Sequence, residues 1–331
     1  MKMNDYIDDF TLHLKDAANI SKKTKLSNSE KKINNVLICG LGGSGIGGTI
    51  VKDILFEKSP VPIVVNKGYF VPNFVNKNTL VIVSSYSGNT EETLSALKMC
   101  EQTEAEIIII SSGGKLKSIA EKKNYNMLMI PGGNPPRAMF GYAFTLLFYV
   151  LKHYKIINDF FIKEFEEAIE VLENEKKPIK EKAKKLAKNL YKTNPIIYCT
   201  DGYEGVAIRF RQQINENSKM LCSHHVIPEM NHNELLGWRT NTNGVSVVYF
   251  RSDTDYSRNS FRVDINKEVI SKYTKNINEV WSCEGSKIIN SLYFINFGDW
   301  VSWYLSEMNS VDAIEIGVIN YLKNKLSSYD E

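Results

Sequence analysis

Five runs of consecutive apolar residues punctuate the first part of the chain, within residues 34–40, 60–69, 78–85, 105–112 and 126–133. NVLIC, PIVV, LVIV, EIIII and NMLMI are short, rich in Val and Ile, and continuous rather than alternating. Strands of that kind are buried on both faces. The segments between them have helical spacing, as in TEETLSALKMC (90–100), where Asn89 and Thr90 stand at the start and Glu91 and Glu92 fill the first turn. Strands that alternate with helices form a parallel sheet with helices on both sides. The pattern predicts a doubly wound α/β unit.

The same grammar returns later. NPIIYCT (194–200) and VSVVYF (245–250) read as strands, RFRQQINENSK as a helix, and residues 287–308 as a long amphipathic helix. Between the halves, FIKEFEEAIEVLENEKKPIKEKAKKLAKNL is dense in Lys and Glu and reads as a solvated connecting helix pair broken near Pro178. A chain of 331 residues is also too long for one simple core. We therefore expect two doubly wound parallel-sheet, flavodoxin-like subdomains, spanning 1–155 and 156–331.

Two strand ends carry unusual chemistry. GLGGSG (40–45) follows the first strand, with six glycines inside residues 40–48, and SSYSGNT (84–90) follows the third. Gly and Asn alone satisfy a turn. Three added hydroxyls, next to the free N–H groups of a helix start, fit a ligand with many acceptor oxygens, of which phosphate is the first candidate. Gly43, Ser44, Ser85, Ser87 and Thr90 are the expected binding residues. GLGGSG also matches the GxGxxG dinucleotide fingerprint, which wants an acid after the second strand to hold the ribose. Asn66 and Lys67 stand there instead, although Lys67 could meet an NADP phosphate. A plain tight turn is the bland reading. The hydroxyl loop favours a small phosphate ester, and ISSGGKL (110–116) reads as an ordinary turn.

Composition excludes several classes. The net charge is +3 with Lys and Glu interspersed, so no basic mass points to nucleic acid, and no helix-turn-helix is evident. The five cysteines are widely spaced without a CxxC pair, which suits reduced thiols and no metal site. MKMNDYIDDFTLHL carries acids and no apolar leader core, and FGYAFTLLFYVL (140–151) is the length of a core helix rather than a membrane span. A cytoplasmic protein with no membrane partner is expected.

GGSG after the first strand and SYSGNTEETL after the third resemble the sugar isomerase (SIS) fold. GGNPPRAMFGY (132–142), QQINENSKM (212–220) and MNHNELLGW (230–238) narrow the resemblance to the archaeal-type bifunctional phosphoglucose/phosphomannose isomerase family. The resemblance spans roughly residues 36 to 323. It implies interconversion of glucose 6-phosphate and fructose 6-phosphate, and of mannose 6-phosphate, through a cis-enediolate without metal or cofactor. It also implies a homodimer with its active site at the subunit interface. Glu216 is the implied base, Arg137 the stabiliser of the enediolate, and His232 the ring-opening residue, reaching across from the partner. Lys323 assists ring opening, with Lys325 a close competitor. Glu234 reads as structural, holding its loop or pairing with Arg239. Asn231 and Asn233 are expected to fix the His232 tautomer. One departure concerns mannose 6-phosphate: the family's VDP with a nearby Thr is VDAIEI here (311–316).

Two other classes remain at this point. A non-catalytic SIS module that senses a phosphosugar would lack the paired Glu216 and His232 motifs. An NADP-dependent enzyme would not need the 84–90 hydroxyls.

Overall fold

The computed structural model describes residues 1–240 and 244–329. Strands β1 (Asn35–Cys39), β2 (Ile63–Asn66), β3 (Thr79–Ser84), β4 (Glu106–Ser111) and β5 (Asn126–Met129) form one sheet in the order β2-β1-β3-β4-β5. β6 (Asn194–Thr200), β7 (Ser223–Ile227), β8 (Val245–Arg251) and β9 (Ile277–Trp281) form a second, in the order β7-β6-β8-β9. Every pairing in both sheets is parallel. The expected class of two parallel-sheet α/β subdomains holds. β7 and β9 escape the sequence pattern because SHHVI and INEVW bury one residue each and lack the continuous apolar run that the other edge strands, β2 and β5, retain.

The period-two alternation of the strands divides the interior into layers. Val36, Ile38, Leu80 and Ile82 of the first sheet face the same central core as Ile197, Cys199, Val248 and Phe250 of the second. Their neighbours Leu37, Cys39, Val81 and Val83 line an outer core on one side, and Tyr198, Val247 and Tyr249 line another on the far side. The central layer is helical. It holds Gly42–Ile54, Phe140–His153, Glu204–Ser218 and the long helix Lys287–Met308.

The Lys/Glu-rich segment is more than a solvated connector. It forms helices Phe160–Asn174 and Lys176–Leu190, parted at Glu175 rather than at Pro178. Phe161, Phe165, Leu172, Ile179, Leu186 and Leu190 are buried in the central core. Long charged side chains cover the outer face of an otherwise ordinary amphipathic pair. No described helix is long and apolar enough to cross a membrane.

Helices Gly42–Ile54 and Glu204–Ser218 run antiparallel in contact. Asp53, at the end of the first, accepts from the Gly205 N–H at the start of the second at 2.8 Å. A carboxylate there meets the positive end of the second helix. The approach is so close that a Cβ on Gly205 would lie 2.8–3.0 Å from Ile50, including its backbone. Gly205→Ala must push the helices apart and is expected to cost about 1–3 kcal/mol. Gly68→Ala, where a Cβ meets nothing within 4 Å, serves as the neutral control. Urea unfolding of the two variants checks this, and equal midpoints would contradict the packing argument.

Candidate active site

The strand order 2-1-3-4-5 places a topological switch point between β1 and β3, where the chain leaves in opposite directions and a crevice opens. The glycine loop leaves β1 there and the hydroxyl loop leaves β3. The dinucleotide fold with the GxGxxG fingerprint instead has the order 3-2-1-4-5. The connectivity therefore differs from that of the dinucleotide fold to which the GLGGSG fingerprint belongs.

The two loops are tied to each other. Ser44 Oγ accepts from the Tyr86 N–H at 3.2 Å, and Ser85 Oγ lies 2.8 Å from Thr90 Oγ1. Ser44 and Ser85 are buried, while Ser87 is exposed with its Oγ accepting from the Asn89 N–H at 3.2 Å. Thr90 occupies the helix N-cap without a side-chain capping bond, because its hydroxyl is engaged by Ser85. The helix itself starts inside the glycines, at Gly42. ISSGGKL serves as a brace: Ser112 Oγ donates to Tyr86 O at 2.6 Å and Lys115 N–H to Asn89 Oδ1 at 2.9 Å. Gly88 has φ +68°, and a Cβ there would lie 1.9 Å from Gly113 O. Only glycine lets the hydroxyl loop lie against this brace.

Arg137 follows β5, and its backbone lies against Gly43, within 3.4–3.6 Å of where a Cβ would stand. The guanidinium is buried, and its NH1 faces Glu216 Oε2 at 3.4 Å. Its Nε donates to Asn217 Oδ1 at 2.7 Å and its NH2 to the carbonyl of Ala313. Burial pulls the guanidinium below its ordinary value, opposed first by Glu216 and then by Asp312. It still carries its charge at neutral pH, as arginine does even when buried. Beneath it, Arg209 forms a buried pair with Asp299 at 2.6 Å, and Gln213 Nε2 donates to the other carboxylate oxygen at 2.9 Å. Lys219 caps the helix end by donating to the carbonyls of Glu216, Asp312 and Glu315 at 2.6–2.9 Å. A cation suits the negative end of that helix.

Arg137 and Glu216 are thus brought together beside the glycine loop, and His232 is not. His232 closes the short turn Glu229–His232, which follows the carboxyl end of β7, whereas Glu216 lies near the amino end of that strand. Five residues of strand separate them, about 16 Å. The flanking amides do not hold its ring, contrary to expectation. Asn231 Nδ2 donates to Asn266 Oδ1 at 2.6 Å and Asn233 Nδ2 to Glu229 Oε1 at 3.1 Å. Glu234 does hold its loop, though through His225 at 3.1 Å and the Tyr198 hydroxyl at 2.5 Å rather than through Arg239. Lys323 is exposed on the terminal helix Gly317–Ser327, about two turns beyond the segment that touches Arg137. Lys325 points to a different face, with Nζ 5.8 Å from the Tyr321 ring. No group of three or more His, Cys, Asp or Glu fit for a metal occurs among the described residues.

The sequence reading does not single out Arg209, Gln213, Asn217 or Asp299. Their signal is visible in hindsight: 209, 213 and 217 are spaced by four, a polar stripe on the buried face of one helix.

The buried pair permits a direct test. Arg209→Leu leaves Asp299 unpaired and is expected to cost about 3–5 kcal/mol. The double variant Arg209→Leu/Asp299→Leu removes both charges and should cost less than Arg209→Leu alone. Urea unfolding of the full cycle decides, and additive losses would contradict a desolvated pair.

Comparisons with known proteins bear on the fold and the family. A SIS domain model matches residues 31–152, and a model of the bacterial phospho-glucose isomerase C-terminal SIS domain matches residues 179–326. A bifunctional phosphoglucose/phosphomannose isomerase from Caldicellulosiruptor bescii is 38% identical over 325 residues, covering 94% of this chain and 95% of its own. One from Aquifex aeolicus is 34% identical, covering 89% and 91%. Among solved structures, the C-terminal domain of glucosamine-fructose-6-phosphate aminotransferase from Francisella tularensis superposes with a TM-score of 0.76 at 13% identity, covering 95% of this chain and 98% of that one.

Proposed function

The chain belongs to the bifunctional phosphoglucose/phosphomannose isomerase family, and from that premise we propose that it interconverts glucose 6-phosphate, fructose 6-phosphate and mannose 6-phosphate through an enediolate. The observation that carries this reading is the Arg137–Glu216 pair beside the two switch-point loops. Aldose–ketose isomerisation needs a carboxylate to move a proton between C1 and C2, and a fixed positive charge beside the two oxygens that gain charge. Glu216 is the base and Arg137 the stabilising charge. The phosphate sits on Gly43, Ser44, Ser85, Ser87 and Thr90, over the start of helix Gly42–Ile54, where N–H groups and the helix dipole favour an anion.

Ring opening is assigned to His232 of a second copy, in a homodimer whose sites lie at the interface. Two observations support this. Within one chain His232 stands a strand length from Glu216. The terminal helix Gly317–Ser327 buries none of its residues and exposes Val318, Tyr321 and Leu322, an apolar face suited to cover by another subunit. Lys323 rides on this helix and assists the same step. The 311–316 segment, where the family's Pro and Thr are absent, lies against Arg137 and Lys219, so the balance between mannose and glucose substrates is set there. A subdomain boundary near 155/156 and a cytoplasmic setting complete the proposal.

The pure protein with glucose 6-phosphate and EDTA, without nucleotide, is expected to form fructose 6-phosphate. Glu216→Gln should lower kcat by about 10²–10⁴-fold or more with KM largely kept. Co-refolding Glu216→Gln with His232→Ala should raise turnover of the closed-ring substrate above that of either variant alone, because one hybrid site is then intact. Absence of turnover in EDTA that added zinc restores would overturn the metal-free route. Failure to complement would overturn the shared site.

A further inference from the structure

We propose that Asn217 is the positioning residue for Arg137, and that it acts as one member of a closed circuit of buried hydrogen bonds. The inference rests on the role given to Arg137 above. The circuit runs as follows. Arg137 Nε donates to Asn217 Oδ1 at 2.7 Å, and Asn217 Nδ2 donates to Ser302 Oγ at 2.9 Å. Ser302 Oγ donates to the Asp299 carbonyl at 2.7 Å, and the Asp299 carboxylate accepts from Arg209 NH2 at 2.6 Å. The same Arg209 NH2 lies 3.3 Å from the carbonyl of Arg137, which closes the ring. Asn217 and Ser302 are wholly inaccessible, and Arg137, Arg209 and Asp299 are at most 6% exposed.

The chemistry of each member follows from its bonds. The Ser302 hydroxyl has a single hydrogen, and the Asp299 carbonyl takes it. Ser302 can therefore only accept from Asn217, which fixes the amide with Nδ2 toward Ser302 and Oδ1 toward Arg137. A guanidinium is planar. Holding Nε through Asn217 and NH2 through the Ala313 carbonyl fixes that plane and leaves NH1 as the edge that meets Glu216. Asparagine accepts from the guanidinium without adding charge. An aspartate in its place would neutralise Arg137, whereas the amide leaves the positive charge available to an enediolate. A core built for stability alone would favour apolar residues over five linked polar groups.

The test measures affinity, by calorimetry, for two probes. A five-carbon phosphohydroxamate carries the charge of an enediolate. Sorbitol 6-phosphate has the same phosphate and no such charge. Asn217→Leu is expected to weaken the hydroxamate about 10–100-fold while leaving sorbitol 6-phosphate little changed, and to lower kcat more than it raises KM. Asn217→Asp should give the same selective loss by neutralising the arginine. Equal weakening of both probes, or of neither, would overturn the proposal, the first outcome marking a purely structural residue. If Asn217→Leu fails to fold, Ser302→Ala carries the test, with a smaller selective loss expected and unchanged affinity for both probes counting against the proposal. Arg137→Ala separates the two levels. If it leaves hydroxamate affinity intact, the reading of Arg137 falls and the positioning role with it. If it weakens the hydroxamate while the Asn217 variants do not, only the positioning role falls.

Discussion

The antiparallel packing of helices Gly42–Ile54 and Glu204–Ser218 is the constraint on which the rest depends. At one end it is locked by Asp53 on the Gly205 N–H. At the other it delivers Glu216 and Asn217, from the second half, to Arg137 and the glycine loop, from the first. Neither half holds both groups. Because the helices touch at backbone distance, a shift of one moves the carboxylate relative to the guanidinium, and the proton transfer proposed for Glu216 would tolerate little such displacement. The buried Arg209–Asp299 pair reinforces this geometry from below.

The second sheet has a switch point of its own, between β6 and β8, and its contrast with the first is instructive. Its hydroxyls are turned inward: Thr200 Oγ1 donates to Asp255 at 2.7 Å, and Ser252 Oγ accepts from Asn290 at 2.9 Å. The Lys287 side chain fills the space over Gly202. Asp201, Asp253 and Asp255 stand at these strand ends and would repel a phosphate. Two crevices of similar topology therefore have opposite chemistry, and the polarity of a few loop residues decides which one suits an anion.

Much of this was legible in the sequence. Central strands announce themselves because burial on both faces demands unbroken apolar runs, and the loops that end β1 and β3 carry their chemistry in local composition. What stayed hidden depends on tertiary contact. β7 and β9 sit at an edge and need no apolar run. Arg209, Gln213 and Asn217 look like an ordinary polar helix face until Asp299, 82 or more positions away in the chain, packs against it. Six glycines are more than a tight turn needs, and composition does not show that Gly45 and Gly48 serve packing: a Cβ there would meet Gly40 O at 2.2 Å and Ile38 at 2.9 Å. The separation of His232 from Glu216 follows only from the direction of β7 and the helix before it.

The central claim is that Glu216, held beside Arg137, carries the proton, whereas His232 only opens the ring. Solvent exchange separates the two. Fructose 6-phosphate incubated in deuterium oxide with the His232→Ala variant should still gain deuterium at C1, because the open keto form that is present without catalysis can be deprotonated. With Glu216→Gln the exchange should vanish. Near-normal C1 exchange in the Glu216 variant would place the base elsewhere and contradict the account.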